Sequence, residues 1–282
     1  MRSDNILING VWENKISVFD RGLSYGDGIF ETIAVIEQDL HNYSLHYQRF
    51  QKGAKRLGLK VPTEKSLLRD INKLIESTSE NKFIVKIILT RGVGGRGYQC
   101  PKNQSENCII SINDWVEYPQ SYYSDGINVQ ELDFKLSVQP LLAGIKHLNR
   151  LEQVLAKKLL EPSYQEAVLL NVSEYVIEGI SSNIYFVYNN VLCIPKLNLS
   201  GVEGTIREQI IRQSKQLNIE YKIVNYPINT LIESEEIFYS NSIFGILPVK
   251  ELKLLNQSHI KFLPGKIYHK LSSVINKQLK IH

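Results

Sequence analysis

The feature that most constrains the fold of this chain is the order in which two hydrophobic periods alternate along it. Segments 6–13 (ILINGVWE) and 31–36 (ETIAVI) read as strands, and segment 44–59 (SLHYQRFQKGAKRLGL) has the three-and-four spacing of a helix with one apolar face. A second helix is expected over 63–78, followed by two β-branched runs, FIVKIILT and NCIISIND. Helices and strands interleaved in this way exclude all-α and all-β classes and predict an α+β unit. Residues 116–126 (VEYPQSYYSDG) carry Pro, Ser, Asp and Gly without a period, and read as a linker. The expected organisation is a smaller N-terminal α/β domain at 1–115, the linker at 116–126 and a larger C-terminal domain at 127–282. The latter has strands at 127–134, 166–171, 183–189, 191–195, 221–226 and 236–241, helices from Leu148 and over 205–217, and a terminal helix. No internal repeat or low-complexity tract interrupts this order.

Composition narrows the function classes. The chain has 282 residues, of which 43% are hydrophobic, enough for a sizeable core. Its formal charge of +4 is spread along the chain and not gathered into a basic arm, so no nucleic-acid partner is expected, while small anionic substrates suit it. Cys100, Cys108 and Cys193 are odd in number and lack CxxC spacing, which indicates neither a disulfide framework nor a metal cluster and fits a reducing cytoplasm. The N-terminal stretch MRSDNILING has no apolar signal region, and no window approaches the ~18 apolar residues a membrane span needs. A cytoplasmic protein without a membrane partner is expected.

Several short stretches carry candidate chemistry. In AGIKHLNRLEQVLA (143–156), Lys146 stands just before a helix whose apolar positions Leu151, Val154, Leu155 and Leu159 predict one buried face; the lysine is either a solvated surface cation or a nucleophile at the helix mouth. GVEGTIREQII (201–211) leads a glycine turn into a helix, so backbone amides around Gly204, Thr205 and Ile206 either face an anion or form an ordinary helix entry. RGVGGRGYQCP (91–101) lacks the Lys-Ser/Thr ending of a P-loop and cannot run into a helix before Pro101. It reads either as a flexible loop carrying Arg96 and Tyr98 toward a site or as a plain hairpin tip. In VIEGISSNIYFV, Glu178 is a solvated charge or a buried anion held against a cationic ring nitrogen. Arg49, one turn after His46 in LHYQRF, is a surface charge or a phosphate clamp, and YSNSIFGILPV offers Ser240, Asn241 and Ser242 at a strand end.

Taken together, DRGLSYGDGIFET, HYQRF, RGVGGRGY, AGIKHLNRLEQ, EGISSNIYF, GVEGTIRE and SNSIFGILPV make a set spanning nearly the whole chain that resembles the fold-type IV pyridoxal 5′-phosphate enzymes, a group including branched-chain and D-amino acid aminotransferases. The resemblance implies a two-domain α+β fold with a β-barrel-like, helix-bearing C-terminal domain. It also implies pyridoxal 5′-phosphate as cofactor and no metal. Lys146 would then form the Schiff base, Glu178 would hold the pyridinium nitrogen, and Asn183 would support Glu178. The phosphate would be gathered by Arg49, the amides of the Gly204, Thr205 and Ile206 turn, and Asn241. The turn reads Gly204-Thr205-Ile206-Arg207 where aminotransferases commonly read G-I-T-R, which favours backbone amides over the Thr205 hydroxyl. Within the family, GIKHLNRLEQ with RGVGGRGY is most similar to the lyases that convert 4-amino-4-deoxychorismate to 4-aminobenzoate and pyruvate for folate. That likeness implies Arg96 and Tyr98 as substrate residues and a homodimer in which residues 96–104 reach across. A branched-chain or D-amino acid aminotransferase is the alternative.

Overall fold

The structure, a computed structural model, describes residues 5–280, and the chain divides into two compact units. The first comprises residues up to Val116 together with Ile145–Arg150. Its elements in chain order are β1 (Ile6–Ile8), β2 (Val11–Trp12), α1 (Arg21–Tyr25), β3 (Gly28–Ile36), β4 (Asp39–Leu40), α2 (Tyr43–Leu57), α3 (Glu64–Ile75), β5 (Lys82–Thr90) and β6 (Asn107–Asp114). The strands form a six-stranded sheet in the order β2-β1-β6-β5-β3-β4, antiparallel throughout. Alternation puts Ile29, Ile33 and Val35 of β3 and Val85, Ile87 and Leu89 of β5 on one face. They pack with Phe50 and Ala54 of α2 and Leu67, Ile71 and Leu74 of α3. Each fully buried leucine or isoleucine there contributes roughly 1.5–3 kcal/mol of transfer free energy. Thr63 starts α3 by accepting from the Ser66 amide, and Gly58 ends α2 in the left-handed region.

β3 lies against β5 along its whole length, while β4 covers its other edge only at Val35 and Ile36. The opposite end of that edge receives the segment 146–148. The Phe30 amide donates to the Lys146 carbonyl, the Leu148 amide to Gly28, and Ile29 bridges His147. This pairing is why Ile145–Arg150 belongs to the first unit, although the sequence reading put it within the 127–282 domain.

The second unit comprises Glu117–Gly144 and the chain from Leu151 onward. Its elements are α4 (Gln120–Ser124), β7 (Ile127–Leu136), α5 (Leu151–Leu159), β8 (Glu166–Asn171), β9 (Val176–Glu178), β10 (Asn183–Tyr188), β11 (Val191–Pro195), α6 (Thr205–Gln216), β12 (Tyr221–Val224), α7 (Ile228–Ile232), β13 (Glu236–Asn241), β14 (Gly245–Lys253), β15 (His259–Lys261) and α8 (Lys266–Gln278). A nine-stranded sheet runs β12-β11-β10-β13-β14-β7-β8-β9, with β15 on β14. The pairs β11–β12, β14–β7 and β7–β8 are parallel. Central strands are buried on both faces. Tyr185, Val187 and Phe238 pack against α6 and α8, while Ile184, Phe186 and Tyr239 face a second cluster with Val129 and Leu247.

One expectation is corrected here, that for α5. Residues 116–126, read from the sequence as a linker, contain α4, and Tyr118, Tyr122 and Tyr123 pack on the second unit's cores. Pro, Ser and Gly drew attention away from those three aromatic rings. The apolar stripe of α5 is not buried in its own chain, since Leu151 is 69% exposed, Val154 61%, Leu155 46% and Leu159 52%, and only Ala156 turns inward. Among the described residues no helix is long and apolar enough to cross a membrane, and no group of His, Cys, Asp and Glu could hold a metal ion. All three cysteines are free.

Candidate active site

Lys146 is fixed by the rung it makes on β3. Its carbonyl accepts from Phe30, and its Nζ stands 4.4 Å from the centroid of the Phe30 ring, a cation–π distance. Next to it, His147 is pushed down to about 3, by burial first and then by the charges of Arg150 and Lys146. The ring therefore stays neutral at any working pH. Arg150 donates from Nε to the His147 carbonyl at 2.9 Å, and its Nη2 lies within 3 Å of both ring nitrogens.

One position after Phe30, on the opposite face of β3, Glu31 is 1% exposed and accepts from Arg49 through Nε at 2.8 Å and through Nη2. His46 Nδ1 lies 2.6 Å from Glu31 Oε2, the oxygen that also accepts from Arg49 Nη2. Burial pushes the Glu31 carboxyl up, but the charge and hydrogen bonds of Arg49, joined by the hydrogen bond from His46, override it and hold it at about 2. Burial lowers His46 more than Glu31 raises it, so a neutral ring donates from Nδ1 to the carboxylate. The Arg49 side chain, 11% exposed, is therefore a built-in cation in a fixed orientation and not a surface charge. Periodicity could not have found Glu31, because it stands at an ordinary strand position. Its signal is its pairing with the HYQRF helix, which only the fold reveals.

Arg96 and Tyr98 do not line a pocket of their own unit: both are exposed, Tyr98 by 87%. The loop that carries them is nonetheless built, because the buried Arg21 guanidinium donates to the carbonyls of Gly94, Gly97, Tyr98 and Gln99. Arg21 is a second residue the sequence reading missed.

In the second unit three turns gather at the start of β10. Glu178, 5% exposed at the end of β9, accepts from the Val202 amide at 2.8 Å. Asn183, the first residue of β10, clips the same turn from both sides, donating to the Val202 carbonyl at 2.8 Å and accepting from the Gly204 amide at 3.0 Å. A Cβ at Gly204 would lie 2.1 Å from Asn183 Oδ1, so only glycine allows this approach. The Gly204 amide is thus engaged by Asn183. Thr205 and Ile206 open α6, whose N-cap Gly204 makes no side-chain cap hydrogen bond, so the positive end of the helix dipole lies at this turn. Glu166, 4% exposed, binds the loop between Glu178 and Asn183, accepting from the Ile180 amide at 2.6 Å and the Ser182 hydroxyl at 2.6 Å. Asn241 uses its amide oxygen on the backbone of Ile243 and Phe244, at 2.9 Å each, while its nitrogen reaches the Ser181 carbonyl at 3.4 Å. It shapes the turn that presents Ser242, which the sequence reading named with Ser240 and Asn241 at this strand end.

Upstream, Gly144 belongs to the second unit. It donates to Gly201 at 2.9 Å and accepts from the Glu203 amide at 3.1 Å, and the chain reaches Lys146 two residues later.

The chain is similar to known proteins over nearly its whole length. The model of the amino-transferase class IV family matches residues 28–252. The aminodeoxychorismate lyase of Vibrio harveyi is 29% identical over 274 residues, covering 95% of this chain and 98% of the relative. The D-alanine aminotransferase of Staphylococcus aureus strain MSSA476 is 27% identical over 286 residues, covering 99% of each. Among solved structures, 4-amino-4-deoxychorismate lyase from Pseudomonas aeruginosa superimposes with a TM-score of 0.88 at 33% identity, covering 96% of this chain and 98% of that one.

Proposed function

Because this chain belongs to the class IV aminotransferase family, a family of pyridoxal 5′-phosphate enzymes, we propose that it is a lyase converting 4-amino-4-deoxychorismate to 4-aminobenzoate and pyruvate in a reducing cytoplasm. The residues present fit the cofactor by kind. Lys146 offers a primary amine beside an apolar ring, Glu178 a buried carboxylate for a cationic ring nitrogen, and Arg49 with the Thr205 and Ile206 amides a cationic and dipolar seat for a phosphate. Asn183 and Glu166 hold the turns that carry these groups, and Asn241 and Ser242 complete the phosphate side. The single observation that carries the lyase reading over the aminotransferase one is the likeness, along nearly the full length of both chains, to the Pseudomonas lyase.

The cofactor, when bound, supplies an electron sink conjugated to the substrate nitrogen. Lys146 would anchor it, and the free amine of Lys146 would take the proton from substrate C4. The electron pair of that C–H bond becomes the new ring double bond as the C3–O bond breaks, and enolpyruvate leaves with the pair on its oxygen. Lys146 returns the proton to the enolpyruvate methylene carbon, giving pyruvate. A neutral His147 adds no second positive charge beside the working amine. Arg96 receives a substrate carboxylate and Tyr98 lines the pocket. Their exposure in the single chain, and the uncovered apolar stripe of α5, support a homodimer in which residues 96–104 serve the partner's site.

Borohydride reduction of the purified yellow protein followed by peptide mapping tests the anchor. A pyridoxyl group on Lys146, with both products formed from 4-amino-4-deoxychorismate, is expected. A pyridoxyl group on another lysine would overturn the assignment.

A further inference from the structure

We propose that Arg21 is a positioning residue for the substrate: its guanidinium is the template on which the glycine-rich loop 92–99 folds, and through that loop it sets where Arg96 stands. The inference rests on the reading that Arg96 receives a substrate carboxylate.

The geometry is a cage of carbonyls around one buried cation. Nη1 of Arg21 donates to Gly97 at 2.9 Å, Gln99 at 3.3 Å and Gly94 at 3.4 Å, and Nη2 to Tyr98 at 3.3 Å. The Arg21 amide also holds Gly92 at 2.9 Å. Pointing this many carbonyls inward requires a chain that turns left-handed repeatedly, and Gly92, Gly94, Gly95 and Gly97 all have positive φ. At Gly95 a Cβ would meet the Gln99 carbonyl at 2.0 Å and Arg21 Nη1 at 3.2 Å, so the glycine is there to let backbone close on the guanidinium.

Charge explains why the cage forms. Asp27 accepts from Arg21 Nε at 2.9 Å and from Arg91 Nε and Nη2 at 2.8 and 2.9 Å. Two guanidiniums thus share one carboxylate in a largely buried place. Arg91 finds further acceptors in the Leu57 and Gly58 carbonyls at the end of α2 and in Gln104. Arg21 finds them in the loop, with its guanidinium carbon 4.9 Å from the Tyr25 centroid, a ring that also meets Tyr98 at 5.4 Å. Without Arg21 the carbonyls have no reason to face inward and turn to water. A lysine in its place keeps the charge but concentrates three donors at one point, and cannot span four carbonyls as a planar fork does.

The test uses the holoenzyme and two variants, Arg21→Lys and Arg21→Gln, so that a folding failure of the glutamine variant leaves the lysine variant to decide. Each is combined with Arg96→Ala. The expected result is a KM for 4-amino-4-deoxychorismate raised roughly tenfold, the loss of one charge-assisted bond's worth of binding. kcat and the visible cofactor band should be kept, and amide hydrogen exchange over 94–99 should be faster. In the Arg96→Ala background, Arg21→Lys should add little further KM increase, because Arg21 acts through Arg96. KM effects that multiply in full in the double variant, or exchange over 94–99 unchanged in the variant that folds, would overturn the proposal. If Arg96→Ala alone leaves KM unchanged, the carboxylate reading fails and so does the link to substrate, while exchange still reports whether Arg21 holds the loop.

Discussion

At the residue scale, Lys146 presents its amine over Phe30 from a rung that holds its backbone to β3. Lys146→Ala keeps that rung, so the variant should fold but lose both the visible absorption of the bound cofactor and turnover, the latter by roughly 10⁴-fold. Absorption spectra and a product assay check this. Glu31 makes a separate prediction, of stability against pH. Its carboxyl is depressed from an ordinary 4.5 to about 2, so the stability it contributes is fully present above about pH 4.5 and is lost as pH falls from there toward 2. The shift corresponds to about 3 kcal/mol. Glu31→Gln should lower stability at neutral pH by a comparable amount and flatten its fall between pH 4.5 and 2, as denaturant unfolding across that range would reveal. A variant as stable as the parent at pH 7 would contradict the account of the Glu31–Arg49 pair.

At the element scale, the turn that leads into α6 depends on Gly204 lying against Asn183. Gly204→Ala forces these groups apart and should weaken cofactor binding by about tenfold or more with little loss of global stability, measured by titrating the apoenzyme with cofactor. The exposed stripe of α5 carries a further prediction: Val154→Lys with Leu155→Lys should shift a dimer to monomer in light scattering, because a charge within an apolar contact is uncompensated. The same elements show what the sequence made legible. Segments with a clean period, such as β3, β5, β6, α2 and α6, stand within a few residues of their expected places, whereas residue type alone left Lys146 and Glu178 open between a surface charge and a site role, and only the family resemblance singled them out with Asn183. Strand β14 was missed because Pro248 interrupts it; the strand tolerates that residue where its antiparallel pairing with β13 ends and the parallel pairing with β7 begins. The α5 face misled because periodicity reports an apolar face, not what covers it. Glu31, Arg21 and Glu166 were invisible because a buried carboxylate or guanidinium is defined by partners distant in sequence.

At the scale of the whole molecule, the chain has two units with separate cores, and its relatives include both an aminodeoxychorismate lyase and a D-alanine aminotransferase. The fate of the substrate nitrogen separates them. The most direct measurement supplies 4-amino-4-deoxychorismate labelled with ¹⁵N at its amino group, without any oxo acid, and follows products over many turnovers. The account predicts sustained release of 4-aminobenzoate and pyruvate in equal amounts, with the label retained in the aromatic amine. Absence of pyruvate, together with bleaching of the yellow enzyme to the pyridoxamine form on adding leucine or D-alanine, would contradict it and favour an aminotransferase.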